Sequence, residues 1–213
     1  MTDIQAVIFD ADGTILDTRE LIFQAYEHVL SQHGYDVPSR EIIFDEVRGN
    51  AADVTYRKRA VHHDPDELVK IHRLFQAEHV DLWSAYEGLH DLLGAVKHAG
   101  MKMGICTSRG AAVEQMLEDA YVKEFFDSIV HADMVQNHKP HPEPLLRVLA
   151  ELGVAANNAV MIGDTDADIG AGKAASVAFT IGITHGVGSR ELLEETGADY
   201  IVDHLSEILP LVT

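Results

Sequence analysis

An unbroken apolar run, Ala6–Phe9, stops at two carboxylates, Asp10 and Asp12, and the turn pair Asp12-Gly13. A short apolar run bounded by turn residues predicts a buried strand, about Gln5–Asp10. From Thr18 to about Leu82 the apolar positions recur instead with helical spacing. Leu21, Ala25, Val29 and Leu30 make one stripe, and Gly34 with Pro38 closes it. Ser39-Arg40-Glu41 predicts a second helix start, and Asp64-Pro65-Asp66-Glu67 a later one with Pro65 at the first helical position. No strand pattern occurs in this stretch. From Gly88 onward strands and helices alternate. Strands are predicted at Met103–Thr107, Ser128–His131, Ala159–Gly163, Val177–Thr180 and Tyr200–Val202. Helices are predicted at Leu89–Ala99, Ala111–Glu118, Pro142–Leu152, Ala167–Ala174, Arg190–Glu195 and Ser206–Leu211. Such alternation predicts an α/β fold, a doubly wound parallel sheet with helices on both faces. The core then comprises residues 1–15 and 84–213, with an α-helical unit, residues 16–83, inserted into it.

Composition narrows this little. A chain of 213 residues, 46% hydrophobic, suits one core or one core plus a small insert. No apolar run reaches the length of about 18 residues that suggests a transmembrane helix. Met1-Thr2-Asp3-Ile4 lacks the basic and apolar regions of a signal peptide. Cys106 is the single cysteine, so no intrachain disulfide can form. These features lead us to expect a cytoplasmic protein. Charge changes the picture more: the net value is −19. An acidic surface repels nucleic-acid backbones and anionic lipid, so neither nucleic acid nor membrane is expected as a partner. It would also repel a phosphorylated substrate, and a site for one must concentrate cations locally. His62-His63 and His138/His141 fit no familiar structural zinc spacing.

Ligands of open α/β sheets bind beyond the carboxyl ends of the strands. Four places put polar groups there: Asp10/Asp12, Thr107-Ser108-Arg109-Gly110, Lys139 within His138-Lys139-Pro140-His141-Pro142, and Gly163-Asp164-Thr165-Asp166-Ala167-Asp168. Each has a plain structural reading. Asp12-Gly13 is an ordinary turn pair. Thr107-Ser108 would cap a following helix, Lys139 would be a loop lysine, and the Asp164–Asp168 run would cap a helix start. That run also mimics a calcium loop, but Gly170 falls one position late and Ala175 stands where the bidentate Glu belongs. Gly182-x-x-x-Gly186-x-Gly188 is too loose for a dinucleotide fingerprint and reads as a turn. Trp83 and Tyr86 read as packing residues where the chain returns to the core.

Taken together, acid pair, hydroxyl, cation and acid pair at four successive strand ends closely resemble the haloacid dehalogenase superfamily of phosphohydrolases, over essentially the whole chain. Asp10-Ala11-Asp12-Gly13-Thr14 resembles its first motif, Thr107 its second, Lys139 its third, and Gly163-Asp164 with Asp168 its fourth. The insert resembles the helical cap of its type one members, on a Rossmann-like core. Lys139-Pro140-x-Pro142 and the tail from Gly186 to Asp203 resemble the phosphoglycolate phosphatase-like branch. Asp12 argues against the dehalogenases, which lack that acid. Ala11 argues against the P-type pumps, which carry Lys there. Phosphatase and phosphomutase remain.

The resemblance implies Asp10 as nucleophile, forming an aspartyl-phosphate, and Asp12 as general acid and then general base. It implies Mg²⁺ on Asp10, the Asp12 carbonyl and Asp164, with Thr107, Ser108 and Lys139 around the phosphate. Thr14 then orients the acid loop, and Asp168 orients metal-bound water or Lys139. Arg48, in Arg48-Gly49-Asn50 of the insert, either meets a substrate carboxylate or second phosphate, or is a solvated surface arginine. Arg109 stands where this branch usually has Lys; it either reinforces phosphate binding or pairs with a surface acid. The expected activity is Mg²⁺-dependent hydrolysis of a small phosphomonoester, phosphoglycolate first, by a monomer or homodimer. Alternatives are a sugar phosphomutase, a pyrophosphatase, a nucleotidase, or a non-catalytic phosphometabolite-binding protein.

Overall fold

Alternate residues of the first strand, β1 (Ala6–Phe9), serve two different cores in the computed structural model, which describes residues 3–48 and 52–213. Val7 and Phe9 belong to one apolar cluster, Ala6 and Ile8 to another. This is the two-sided burial expected of a central parallel strand.

After β1 come β2 (Leu16–Asp17) and four helices, α1 (Arg19–Gln32), α2 (Arg40–Val47), α3 (Ala52–Arg59) and α4 (Pro65–Glu78). Then follow β3 (Ser84–Ala85), α5 (Leu89–His98), β4 (Lys102–Cys106), α6 (Ala112–Asp119), β5 (Ser128–Val130), α7 (Glu143–Leu152) and β6 (Ala159–Gly163). The chain ends with α8 (Asp166–Ala175), β7 (Phe179–Ile183), α9 (Arg190–Thr196), β8 (Tyr200–Val202) and α10 (Leu209–Val212). The six-stranded sheet is parallel, in the order β5-β4-β1-β6-β7-β8. Phe9 lies between Ile105 of β4 and Ile162 of β6. Helices cover both faces. The stripes of α5 and α6, among them Leu93, Val96, Val113 and Leu117, pack with Val7 and Phe9, whereas Leu145, Val148 and Leu149 of α7 pack with Ala6 and Ile8. The order of the strands reverses around β1, so the ends of β1, β4 and β6 meet at the switch point where such sheets bind ligands.

The helices α1–α4 have an apolar cluster of their own, built on Tyr26, Val29, Leu30, Ile43, Tyr56 and Leu68. Ser39 caps α2 through the Ile42 N–H, and Asp64 caps α4 ahead of Pro65. A two-stranded antiparallel ribbon, β2 with β3, joins this unit to the sheet layer; Leu16 faces Ala85 and Asp17 faces Ser84. Trp83 and Tyr86 pack at the same junction. The Tyr86 ring stacks on His185 and its hydroxyl donates to the His185 carbonyl at 3.0 Å.

The described residues of the stretch from Thr18 to Leu82 hold no strand, but the two-residue strands β2 and β3, which no local pattern marks, flank it on either side. Three local readings need correction. The strand placed at Val177–Thr180 begins instead at Phe179 and runs to Ile183, because Ser176 at φ 59° and the Val177 N–H close the end of α8. Gly182, read as part of a turn, lies in β7, where a Cβ would press on Leu193. The helix placed at Ser206–Leu211 is a short 3₁₀ turn, Leu205–Glu207, followed by α10.

Candidate active site

Main-chain geometry at the end of β1 separates the two acids. The Asp10 N–H still donates to the Ile162 carbonyl at 2.8 Å, as a strand residue would. The chain then folds back: the Ala11 carbonyl accepts from the N–H groups of Thr14, Ile15 and Leu16. Gly13 takes φ 75°, a left-handed conformation, and a Cβ there would collide with the Asp164 carboxylate. Asp10 and Asp12 line the same cavity but take different partners. Asp10 points to Lys139, and Asp12 points to Arg109.

Lys139 is buried at the centre of the site. Its Nζ donates to Asp10 Oδ1 at 2.6 Å, to Asp168 Oδ1 at 2.5 Å and to the Cys106 carbonyl at 2.8 Å. Burial works against its charge, but the two carboxylates outweigh burial and hold the ammonium well above the usual lysine range. Its peptide bond to Pro140 is cis. Burial pushes the Cys106 thiol up to about 12, so this cysteine is an inert strand residue.

Asp164 and Asp168 lie at and beyond the end of β6. Asp164 accepts from the Thr14 hydroxyl at 3.2 Å and from the Val187 N–H at 2.8 Å. Gly186 brings the loop after β7 close to Asp164, since a Cβ there would meet the carboxylate. Asp168 divides its work. Oδ2 accepts from the Thr165 N–H at 3.1 Å and from the Thr165 hydroxyl at 2.6 Å, closing the start of α8, while Oδ1 holds Lys139. One oxygen thus caps the helix and the other meets Lys139.

Three buried acids, Asp10, Asp164 and Asp168, bring ligand oxygens within 4.8 Å of one another. Burial pushes the Asp10 carboxyl well above the usual range; Lys139 opposes this, and Asp168 and Asp164 add to it. Burial and then Asp168 push Asp164 up to about 7, against the Val187 N–H, Lys139 and Thr14. Two charges 4 Å apart at an effective dielectric constant of 20 interact by about 4 kcal/mol, so one ammonium leaves this cluster under-neutralised. A set of oxygen donors without His or Cys suits a hard dication, and the residues present fit one.

Thr107 stands at the end of β4. Its N–H donates to the Val130 carbonyl and its hydroxyl accepts from the Arg109 N–H at 3.1 Å, while the hydroxyl proton has no acceptor among the described residues. Neither Thr107 nor Ser108 caps α6, whose N-cap, Ala111, makes no side-chain cap bond. Arg109 does not pair with a surface acid. Its side chain is buried beside the cavity, and its fork grips Asp12 with Nη2 2.6 Å from Oδ1. Burial favours a protonated Asp12, yet the Arg109 charge and hydrogen bonds hold it below the usual carboxylate range.

These groups open into a cavity of about 570 Å³, floored by Asp10, Thr107 and Lys139 and roofed by Tyr26, His72 and Gln76. Arg48 lines it as well, half-buried and ion-paired with Asp45; Gly49 and Asn50 lie outside the described residues. Sequence reasoning did not find His72 or Gln76. His72 is buried and hydrogen-bonded through Nδ1 to the Tyr56 hydroxyl at 2.8 Å, and burial pushes its pKa down to about 3, so it is a neutral ring. Its place on the α4 stripe with Leu68 and Phe75 was the available signal.

Fold and site together define a doubly wound α/β enzyme whose acid–lysine centre sits at the switch point of the sheet. Residues 7–181 match the family described as haloacid dehalogenase-like hydrolase, and the chain belongs to that family. It is 32% identical over 212 residues to pyrophosphatase PpaX of Bacillus mycoides, across 99% of this chain and 97% of that one. To pyrophosphatase PpaX of Bacillus pumilus it is 34% identical over 214 residues, across 98% and 96%. Among solved structures, a haloacid dehalogenase-like family hydrolase of Streptococcus pneumoniae superimposes with TM-score 0.86 at 24% identity, over 100% of both chains. CbbY of Rhodobacter sphaeroides, crystallised with phosphate, superimposes with TM-score 0.84 at 24% identity, over 96% of both chains. Among the described residues no helix is long and apolar enough to cross a membrane.

Proposed function

We propose that this chain is a Mg²⁺-dependent phosphatase that hydrolyses a small phosphomonoester through an aspartyl-phosphate on Asp10, with phosphoglycolate the first candidate. The observation that carries this reading is the division of the Asp10 carboxylate. Lys139 holds Oδ1, while Oδ2 accepts no hydrogen bond from any described residue and belongs to a side chain that lines the cavity. That free oxygen attacks phosphorus as the bond to the leaving oxygen breaks. Asp12, which the Arg109 pair keeps ionised in the free protein, takes a proton from the bound phosphomonoester monoanion and passes it to the leaving oxygen; it then takes one from the water that cleaves the aspartyl-phosphate, and that proton leaves with the released phosphate as Asp10 is restored. The Thr107 hydroxyl, Ser108 and Lys139 hold phosphoryl oxygens as charge builds on them. Mg²⁺ bound by Asp10, the Asp12 carbonyl and Asp164 would supply further positive charge there. Thr14 orients Asp164, and Asp168 orients Lys139.

Residues 16–83 act in this reading as a cap that reads the leaving group, with Arg48 meeting a substrate carboxylate or second phosphate. The protein works in the cytoplasm on a small metabolite, as a monomer or homodimer. A second reading, pyrophosphate hydrolysis, is favoured by the relatives named pyrophosphatase, which match nearly the whole chain. Phosphate release from phosphoglycolate, sugar phosphates, nucleoside monophosphates and pyrophosphate, each with Mg²⁺, separates these readings. We expect the highest kcat/KM for phosphoglycolate. A higher value for pyrophosphate selects the second reading. Phosphoryl transfer between sugar hydroxyls without release marks a mutase, and no turnover of any compound marks a binding protein.

The metal assignment has its own test. Asp164 is pushed up to about 7 from an ordinary 3.8. Between those values the folded metal-free protein keeps a proton that the unfolded chain releases, so this group's contribution to stability falls as pH rises through that window and stays lost above it. Asp164→Asn is therefore expected to raise the Tm of the metal-free protein at about pH 8 and to remove the Tm increase that MgCl₂ gives the wild type. An undiminished response to MgCl₂ in Asp164→Asn counts against Asp164 as a ligand.

A further inference from the structure

Arg109 joins three parts of the molecule. Its main chain is fixed to the sheet layer: the N–H donates to Thr107 Oγ1 at 3.1 Å, and the carbonyl accepts from the Ala132 N–H at 2.9 Å. Its Nε lies 3.0 and 2.9 Å from Asp12 Oδ1 and Oδ2, and Nη2 lies 2.6 Å from Oδ1. Nη1 points the other way and donates to Gln76 Oε1 of α4 at 2.9 Å. Only 8% of the side chain is exposed. A planar guanidinium serves two acceptors in fixed directions at once, which a lysine ammonium cannot do. A second link between α4 and the sheet layer, Arg73 to Asp133 at 3.4 Å, is long and exposed, and water and salt screen such pairs.

We propose that Arg109 is a positioning residue that ties the aim of the Asp12 carboxylate to the seating of α4 over the site, with Gln76 as the catch. The proposal rests on the reading of Asp12 as the group that protonates the leaving oxygen. With α4 seated, Gln76 fixes the plane of the guanidinium, and the plane fixes Asp12. When α4 lifts, the fork loses one of its anchors and Asp12 loses its aim. Cap seating and readiness of the acid are then one equilibrium. Gln76, on a helix of the inserted unit, thereby governs a group on the first motif without touching it.

The full chain, Gln76→Met, Arg109→Lys and the double variant test this. Two quantities are read: backbone hydrogen exchange over residues 65–78 in the free protein, and kcat/KM with Mg²⁺ for phosphoglycolate and for p-nitrophenyl phosphate. kcat/KM includes departure of the leaving group, and the alkoxide of glycolate needs a proton where nitrophenolate does not. Gln76→Met is expected to lower kcat/KM about tenfold for phosphoglycolate and less than about threefold for p-nitrophenyl phosphate, and to speed exchange in α4. Once Arg109 is lysine, Gln76→Met should add no further change in either quantity. Equal losses on the two esters, multiplying losses in the double variant, or unchanged α4 exchange each overturn the proposal. The exchange arm needs no turnover. Coupled exchange with no phosphate release from either ester therefore overturns the phosphomonoesterase reading and leaves the Arg109–Gln76 catch standing.

Discussion

Asp10→Asn is expected to retain the fold and lose turnover by at least about four orders of magnitude, the scale seen when a nucleophile is removed. Asparagine is nearly isosteric, and its oxygen can still accept from Lys139. What it lacks is an anionic oxygen to attack phosphorus. The substitution also removes an acid that burial pushes well above its usual range, so Tm should hold or rise. In the wild type, an acid quench during turnover should trap one phosphoryl group on the peptide containing residue 10, detectable by mass, and the variant should trap none. Full activity in Asp10→Asn would end the nucleophile assignment.

Lys139→Met should damage both stability and activity. The ammonium it removes serves two buried carboxylates and the Cys106 carbonyl. Breaking a buried pair from one side costs about 3–5 kcal/mol, because the partner charge is left unpaired. The loss should depend on pH in a defined direction. Without Lys139 the pKa of Asp10 rises further, and at lower pH that acid neutralises instead of repelling its neighbours. Urea unfolding should therefore show a larger loss at about pH 8 than at about pH 5. An equal loss at both would mean that Lys139 matters through its packing and not its charge. Mg²⁺ should restore part of the stability, since it offsets the same acids, while turnover stays low.

What could be read from sequence follows from how local each signal is. The strands β1, β4 and β6 are short apolar runs ending in polar groups, and they were placed within a residue of their observed limits. The four polar clusters were legible for the same reason, since each follows a strand directly. The partnerships between them were less so. Lys139 pairs with Asp10 across 129 positions, and Asp12 meets Arg109 across 97. Spacing along the chain carries no trace of either. Nor does the sequence show that the chain folds back directly after Asp10, where Gly13 and the Ala11 carbonyl end the extended geometry at once. Gln76 was out of reach, for a glutamine on an exposed-looking helical position has no marker until the helix is set over the site. The register of β2 with β3 was hidden for a similar reason: a pairing of two residues with two residues is decided by tertiary approach.

That small pairing has an evolutionary consequence. Leu16 opposite Ala85 holds the entry and exit of the helical unit side by side. The chain leaves and re-enters the core at these two adjacent ends, and closing a longer or shorter segment across fixed ends changes the entropy cost slowly with length. The inserted helices can thus be lengthened, shortened or resequenced while β1, β4 and β6 keep their alignment. Provided Gln76 keeps its bond to Arg109, the unit can change along one lineage while the acid–lysine centre stays as it is, as a tool bit is changed without rebuilding the chuck.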